Sequence, residues 1–469
     1  MAPRSRTDRT ARRNGGISYW YRETGIAAPR PPLPGDISAD YCIVGGGLTG
    51  LWTAWYLKHA RPEARVVVLE REFAGFGASG RNGGWLSDHF AGSREAMAAS
   101  HGRDAVLALQ RAMQGAVDEV ISVCAAEGID ADIVKHGVLS VARSAAQQAR
   151  LDEQLAQERA WGLGPEDSAA LTASQLGERV RISGARGATF SPHCARVQPA
   201  KLVTGLAAAV ARLGVTIYED TTVEAIGPGE ARTDRGTVRA PVVLRCLEGF
   251  TPSLEGERRA LLPLNSAMIV TDPLGDERWG EIGWDGAELI GDVAHAYMYA
   301  QRTADGRIAI GGRGVPYRYG SRTDHWGITQ GRTIASIETI LHAMFPATRG
   351  VAIDQAWCGV LGVSRDWMPT VAFDRVRGTG SAGGYVGSGL TATNLAARVL
   401  SDLVLERDSE LTTLPWVRDQ APRWEPEPLR FIGSNLVYGL YRAADRRESE
   451  SDTTRDDPRA RLADLISGR

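Results

Sequence analysis

Three observations place this 469-residue chain in the α/β class (α+β overall). A strand, a glycine turn, a helix and a second strand follow one another near the N-terminus. A proline-started helix and further apolar strands recur far downstream, and a stretch between them alternates like antiparallel sheet. Together they predict a discontinuous nucleotide domain of Rossmann type, built from separated segments, with a mostly antiparallel domain interleaved. Residues 1–35 read as an N-terminal arm. Ala39–Val44 (ADYCIV) lies between Pro34-Gly35 and three glycines and reads as a buried strand. Leu48–Lys58 follows as a helix, and Val66–Glu70 (VVVLE), after the breaker Pro62, as a second buried strand. Residues 104–160, rich in Ala, Gln and Glu, are a helical insertion. A helix starts at Pro199 and stops at Gly214, a strand follows, and Val242–Leu247 (VVLRCL) is another buried strand. Residues 262–315 alternate, with Asp305-Gly306 as a hairpin turn. The expected division is 36–95, 190–250 and 340–405 for the nucleotide domain, and 96–189 with 251–339 for the helical insertion and the interleaved domain. Residues 406–444 form a C-terminal extension. Residues 445–469 form a solvated tail, since DRRESESDTTRDDPR is too polar to bury anything.

Composition removes several functions. Hydrophobic residues make up 43% and charged residues 23%, and 54 Lys+Arg against 56 Asp+Glu leave a net charge of -2. No global field selects nucleic acid or an anionic membrane. The five cysteines, at 42, 124, 194, 246 and 358, form no Cys-x-x-Cys pair, so neither a disulfide framework nor a zinc site is expected. None of the eight histidines stands at metal-ligand spacing with another, and no metal is expected. No apolar run reaches the order of ~18 residues that a spanning helix needs, and the basic start MAPRSRTDRTARRNGG lacks the apolar stretch of a secretory signal. A cytoplasmic, reduced protein is the expectation. The 54 glycines are the excess that needs explaining, because average usage is only about 7%.

Gly45-Gly46-Gly47-Leu48-Thr49-Gly50 fits G-x-G-x-x-G in the required context, after a strand and opening a helix. Gly45 permits the tight turn, Gly47 lets a pyrophosphate approach, and Gly50 lets the helix pack closely. The phosphates then meet the free N–H groups of the helix N-terminus, from Leu48 and Thr49 onward. Glu70 ends the next strand, where an acid accepts the adenosine ribose hydroxyls, and it opposes the 2′-phosphate of NADP. NAD and FAD remain. The cluster Gly75-Phe76-Gly77-Ala78-Ser79-Gly80-Arg81-Asn82-Gly83-Gly84-Trp85 favours FAD, because it offers bare backbone to a flat ring system.

With these residues the sequence resembles the D-amino-acid oxidase superfamily of FAD-dependent amine oxidoreductases, in its glycine/sarcosine oxidase and γ-glutamylputrescine oxidase-like branch. The resemblance rests on DYCIVGGGLTGLWTAWYL (40–57), VVVLE (66–70), GASGRNGGW (77–85), VQPAKLVTGLAAAVARLGVTIYEDTTV (197–223), TADGRIAIGG (303–312) and GGYVGSGLTATNLAARVLSDLVL (383–405). It implies that Glu70, Arg71 and Val223 serve the adenosine end of FAD, and that Gly77, Ser79, Arg81, Asn82 and Gly83 lie beside the isoalloxazine. It also implies that Gly387, Gly389, Leu390 and Thr391 present a helix start to the N1–C2=O edge, where negative charge gathers on reduction. Cys358 falls near the position of covalent flavin attachment in sarcosine oxidases, but its spacing to Asp366 and Pro369 resembles the non-covalent relatives. Non-covalent FAD is expected.

For the substrate, Tyr297, Tyr299 and Arg302 are expected on one face of a strand, the tyrosines packing a substrate and Arg302 holding an anion. The alternative for Arg302 is a structural arginine. Trp357 is expected at the pocket or flavin edge, with a core tryptophan as the alternative. Gly291-Asp292-Val293-Ala294-His295 imitates the ribityl motif of aromatic hydroxylases, but no proline and glycine-rich helix start follows it. Two departures from the family pattern are Arg245–Phe250 (RCLEGF), where relatives usually carry a small residue, and the extension 413–435, which the longer putrescine oxidase-like branch shares. The implied activity is oxidation of a C–N bond in an amine or amino acid by hydride transfer to flavin, with oxygen or another acceptor restoring the cofactor. The alternatives are an FAD-dependent monooxygenase and a flavin-binding protein without turnover. The sequence does not choose the amine or the acceptor.

Overall fold

The computed structural model describes residues 12–312, 317–323, 325–419 and 421–468. A six-stranded sheet runs in the order Thr216–Tyr218, Val66–Leu69, Tyr41–Val44, Val242–Arg245, Thr379–Gly383, Thr370–Asp374. Its first five strands are parallel and the last is antiparallel. All four residues of Val66–Leu69 are buried, as a parallel strand covered on both faces requires. The covering helices are Leu48–Ala60, Pro199–Arg212 and Gly389–Val404. Pro199 stands in the first turn of its helix, where its missing N–H costs nothing, and the Gln198 side chain caps Lys201 N at 2.9 Å.

A nine-stranded, mostly antiparallel sheet stands against it, centred on Leu262–Thr271 paired with Ile353–Val363. Met298–Arg302 and Ile308–Gly312 form the expected hairpin, with Gly306 at φ 75° in the turn. A four-stranded sheet joins Ile37–Ser38 to the strands between Val223 and Arg239.

Three expectations about segments change. Within 340–405, Ile353–Val363 belongs to the antiparallel sheet, so that segment serves both sheets. Of the expected arm, residues 1–11 lie outside the described residues, 13–21 are docked, and 23–29 stay exposed. Tyr19, Trp20 and Tyr21 are buried, Arg13–Asn14 pairs beside Gln355–Ala356, and Trp20 Nε1 donates to Asn82 O at 2.8 Å. Three consecutive aromatics carry enough apolar area to anchor a short helix in an otherwise polar segment. The solvated tail is also overturned. Leu429–Ser449 and Pro458–Ser467 are helices packed on each other and on Ala296. Glu448 and Asp456 meet Arg150, while most of the other charged side chains from 446 to 461 stay exposed.

Candidate active site

A cavity of about 1330 Å³ lies between the C-terminal ends of the parallel strands and the antiparallel sheet. Val44, Leu69, Glu70 and Cys246 come from the strand ends, and Ser266, Tyr299, Gly359 and Leu361 from the facing sheet. Open α/β sheets place ligands at this edge.

The first glycine cluster shapes one end. Gly45 has φ 111°, and a Cβ there would meet Cys246 O at 2.5 Å. At Gly50 a Cβ would come within 2.0 Å of Gly45 O, so any side chain would push the helix from the turn. Gly50 therefore acts by packing and does not line the cavity, whereas Gly45, Gly47, Leu48 and Thr49 do. The Glu70 carboxylate accepts from Gly46 N at 2.8 Å and from Glu72 N at 3.1 Å. Burial raises its pKa, against the pull of those N–H groups. Arg71, stacked 5.4 Å over the Phe250 ring, and Val223 continue this end.

Ser79 accepts from Leu48 N at 2.9 Å and clips the second glycine cluster to the first. Arg81 is 1% exposed; its guanidinium lies 4.2 Å over the Phe76 ring and Nε donates to Phe76 O at 2.6 Å. Asn82 holds the turn through Ser79 O and Gly84 N, both at 2.8 Å. Gly77, Ser79, Arg81, Asn82 and Gly83 all line the cavity. Gly387, Gly389 and Leu390 form the opposing wall. Thr391 is turned inward, and its hydroxyl has no hydrogen-bond partner among the described residues.

On the substrate side, Tyr297 and Tyr299 line the cavity, and the Tyr299 hydroxyl meets Ser266 Oγ at 2.9 Å. Burial pushes the Tyr299 phenol up to about 12. Two expected contacts are corrected. Arg302 stands three residues from Tyr299, an odd step that puts it on the other face of the strand. It stacks 4.1 Å over Trp279 and donates to Trp284 O, away from the cavity. Gln301 takes the even-step place and donates to Gly83 O at 2.6 Å. Trp357 is fully buried against Trp20, and its Nε1 donates to Arg81 O at 2.8 Å. It supports the ring segment from behind. Cys358 lies in the apolar core with its thiol 3.5 Å from Ile328 O.

Two acids were missed. Glu248 follows the strand Val242–Arg245, lines the cavity, and accepts from Gly384 N (2.7 Å), Gly362 N (3.1 Å) and Tyr385 N (3.3 Å). Burial lifts its carboxyl to about 7, with those three N–H groups pulling the other way. The departure at Arg245–Phe250 was the only signal in the sequence. Asp88 lines the cavity beside Asp167 and Glu158; burial raises it to about 6, and Gln110 Nε2 donates to it at 3.1 Å.

These residues fit a flavin dinucleotide. A Cβ-intolerant glycine turn opens onto the cavity, and the helices Leu48–Ala60 and Gly389–Val404 start there with no cap from their N-cap side chains. The architecture defines a two-sheet dinucleotide-binding α/β protein.

Residues 40–403 match the family model described as FAD dependent oxidoreductase (DAO), and the chain belongs to that family of FAD-dependent enzymes. It is 29% identical over 407 residues to Gamma-glutamylputrescine oxidoreductase of Escherichia coli (strain K12), covering 85% of this chain and 92% of that protein. It is also 29% identical over 434 residues to Probable oxidoreductase OrdL of Rhizobium meliloti, covering 90% and 95%. Among solved structures, glycine oxidase from Bacillus cereus superposes with TM-score 0.64 at 19% identity, covering 81% of this chain and 99% of that one. The resemblance read from the sequence, the fold class and FAD are borne out.

Proposed function

We propose that this chain oxidises the C–N bond of a small amine or amino acid by hydride transfer from the α-carbon. The observation that carries the reading is one continuous cavity, with the glycine cradle at one end and a chamber lined by Tyr297, Tyr299 and Asp88 at the other. Gly45, Gly47 and Leu48 would hold the pyrophosphate, Glu70 and Val223 the adenosine, Ser79 through Gly83 the ring, and Gly387 through Leu390 its pyrimidine edge. Bound there, FAD would accept the hydride at N5 and pass the electrons to oxygen or another acceptor. The chain orients and desolvates the substrate amine between the tyrosines, and the carboxylates Asp88, Asp167 and Glu158 attract it as a cation before it gives up its proton. Non-covalent attachment is supported by the Cys358 thiol, which packs into the core. A cytoplasmic setting is supported by five free, buried cysteines.

The test is anaerobic mixing of the purified flavoprotein with amines, N-methyl amino acids and polyamine derivatives. Bleaching by an amine, with the imine-derived carbonyl as product, is expected. Bleaching by NAD(P)H alone would replace this reading with a monooxygenase, and bleaching by neither with a flavin carrier.

A further inference from the structure

The family match ends at residue 403, but the cavity wall does not. Asp464 and Gly468, from the helix Pro458–Ser467 and the turn after it, line the same cavity as Arg150, His295 and Trp367. Three attachments hold this segment in place. Arg150 Nη2 meets Asp456 at 2.6 Å, His295 Nε2 at 2.7 Å and Glu448 at 2.9 Å. Because the guanidinium already fills the space between the histidine and the two acids, they are an ion-pair latch and not a metal site. Asp445 accepts from the backbone N–H groups of His295 and Ala296 at 2.9 and 3.0 Å. Ser467 O accepts from Arg365 Nη1 and Trp367 Nε1, both at 2.9 Å. Beneath these, Val437, Tyr441, Ala444, Ala460 and Ala463 bury an apolar seam against Ala296. A segment fixed by buried charge, backbone bonds and apolar contact is a permanent wall.

We propose that the two C-terminal helices form the outer wall of the substrate chamber, and that Asp464 selects substrates with a cationic group on the arm remote from the oxidised bond. This deepens, and rests on, the amine-oxidising reading above. The Tyr441 hydroxyl donates to Asp464 Oδ1 at 2.6 Å and fixes the carboxylate. Of the arginines at this wall, Arg150 is paired with Glu448 and Asp456 and Arg365 with Glu425 at 2.9 Å, and among the described residues none forms an ion pair with Asp464. Asp464 therefore presents negative charge to the cavity, which suits an ammonium or guanidinium group.

The holoenzyme is titrated anaerobically with 1-aminobutane and 1,4-diaminobutane, and with their N-methyl forms, following both the binding-induced shift of the flavin absorbance and its bleaching. The wild type is expected to bind each diamine about 10-fold more tightly than its monoamine. Asp464→Asn, which keeps an oxygen for Tyr441, should bring the pair within about 3-fold by weakening the diamine, and Asp464→Glu should restore the preference. Equal binding of the pair by the wild type, or an unchanged ratio in Asp464→Asn, overturns the proposal. A ratio that depends on Asp464 without bleaching by any amine supports the charge-selecting wall while removing the oxidase reading.

Discussion

Replacing Glu248 by glutamine tests the electrostatics of the cavity most directly. The glutamate sits at φ 45°, a left-handed conformation that side chains rarely adopt. Its carboxylate ties Gly362 of the antiparallel sheet to Gly384 and Tyr385, which lead into the helix Gly389–Val404. The amide cannot accept at its nitrogen, so one of the three backbone donors loses its acceptor, at a cost of roughly 1–3 kcal/mol. Titration acts in the opposite direction. The folded carboxyl titrates near 7 against an ordinary 4.5, so the acid favours folding below pH 4.5 and that advantage is lost as pH rises through about 7. At about 1.4 kcal/mol per pH unit, the wild type gives up about 3 kcal/mol over this range. Glu248→Gln has no such slope. Thermal unfolding of the two holoproteins between pH 5 and 9 should show the variant melting lower at pH 5 and matching or exceeding the wild type by pH 8.5. Parallel melting curves, with a constant offset at every pH, would refute the buried, displaced carboxyl.

Gly50→Ala forces a Cβ to within 2.0 Å of Gly45 O, and the variant is expected to lose its visible flavin spectrum on gel filtration while keeping its far-ultraviolet dichroism. Arg302→Ala should lower stability by about 1–2 kcal/mol through loss of the Trp279 stack and the Trp284 bond, and leave KM within about 2-fold. A large KM change with unaltered stability would return Arg302 to the substrate. Glu448, which burial pushes up but the His295, Asp457 and Arg150 contacts bring down to about 2, supports folding fully above pH 4.5 and loses that support as pH falls toward 2. The melting difference between wild type and Glu448→Gln should therefore be largest near neutral pH and shrink in acid.

The glycine turns at Gly45–Gly50 and Gly75–Gly84 were legible because backbone approach to a ligand restricts residue type, so the chemistry is written in composition. Strand alternation also located the hairpin at Asp305-Gly306. What escaped were features set by partners distant along the chain. Glu248 spends its charge on backbone N–H groups, which leave no residue signature. The 445–469 segment looked solvated because its partner Arg150 lies about 300 residues earlier. Nothing local says which sheet Ile353–Val363 joins, so the sequence leaves Trp357 open between the pocket edge and the core. Arg302 failed on parity, a rule the sequence does contain.

The order of strands across the parallel sheet also constrains how the enzyme is made. Its strands are drawn from residues 41 to 383, and the cavity acquires its last lining residues at 464 and 468. No portion that stops short of Leu390 holds a complete cradle, since the strand Tyr41–Val44 takes Val242–Arg245 as its neighbour, and that in turn takes Thr379–Gly383. A flavin therefore finds all its contacts only when segments from Gly45 to Leu390 have folded together, and neither half of the chain can hold it alone.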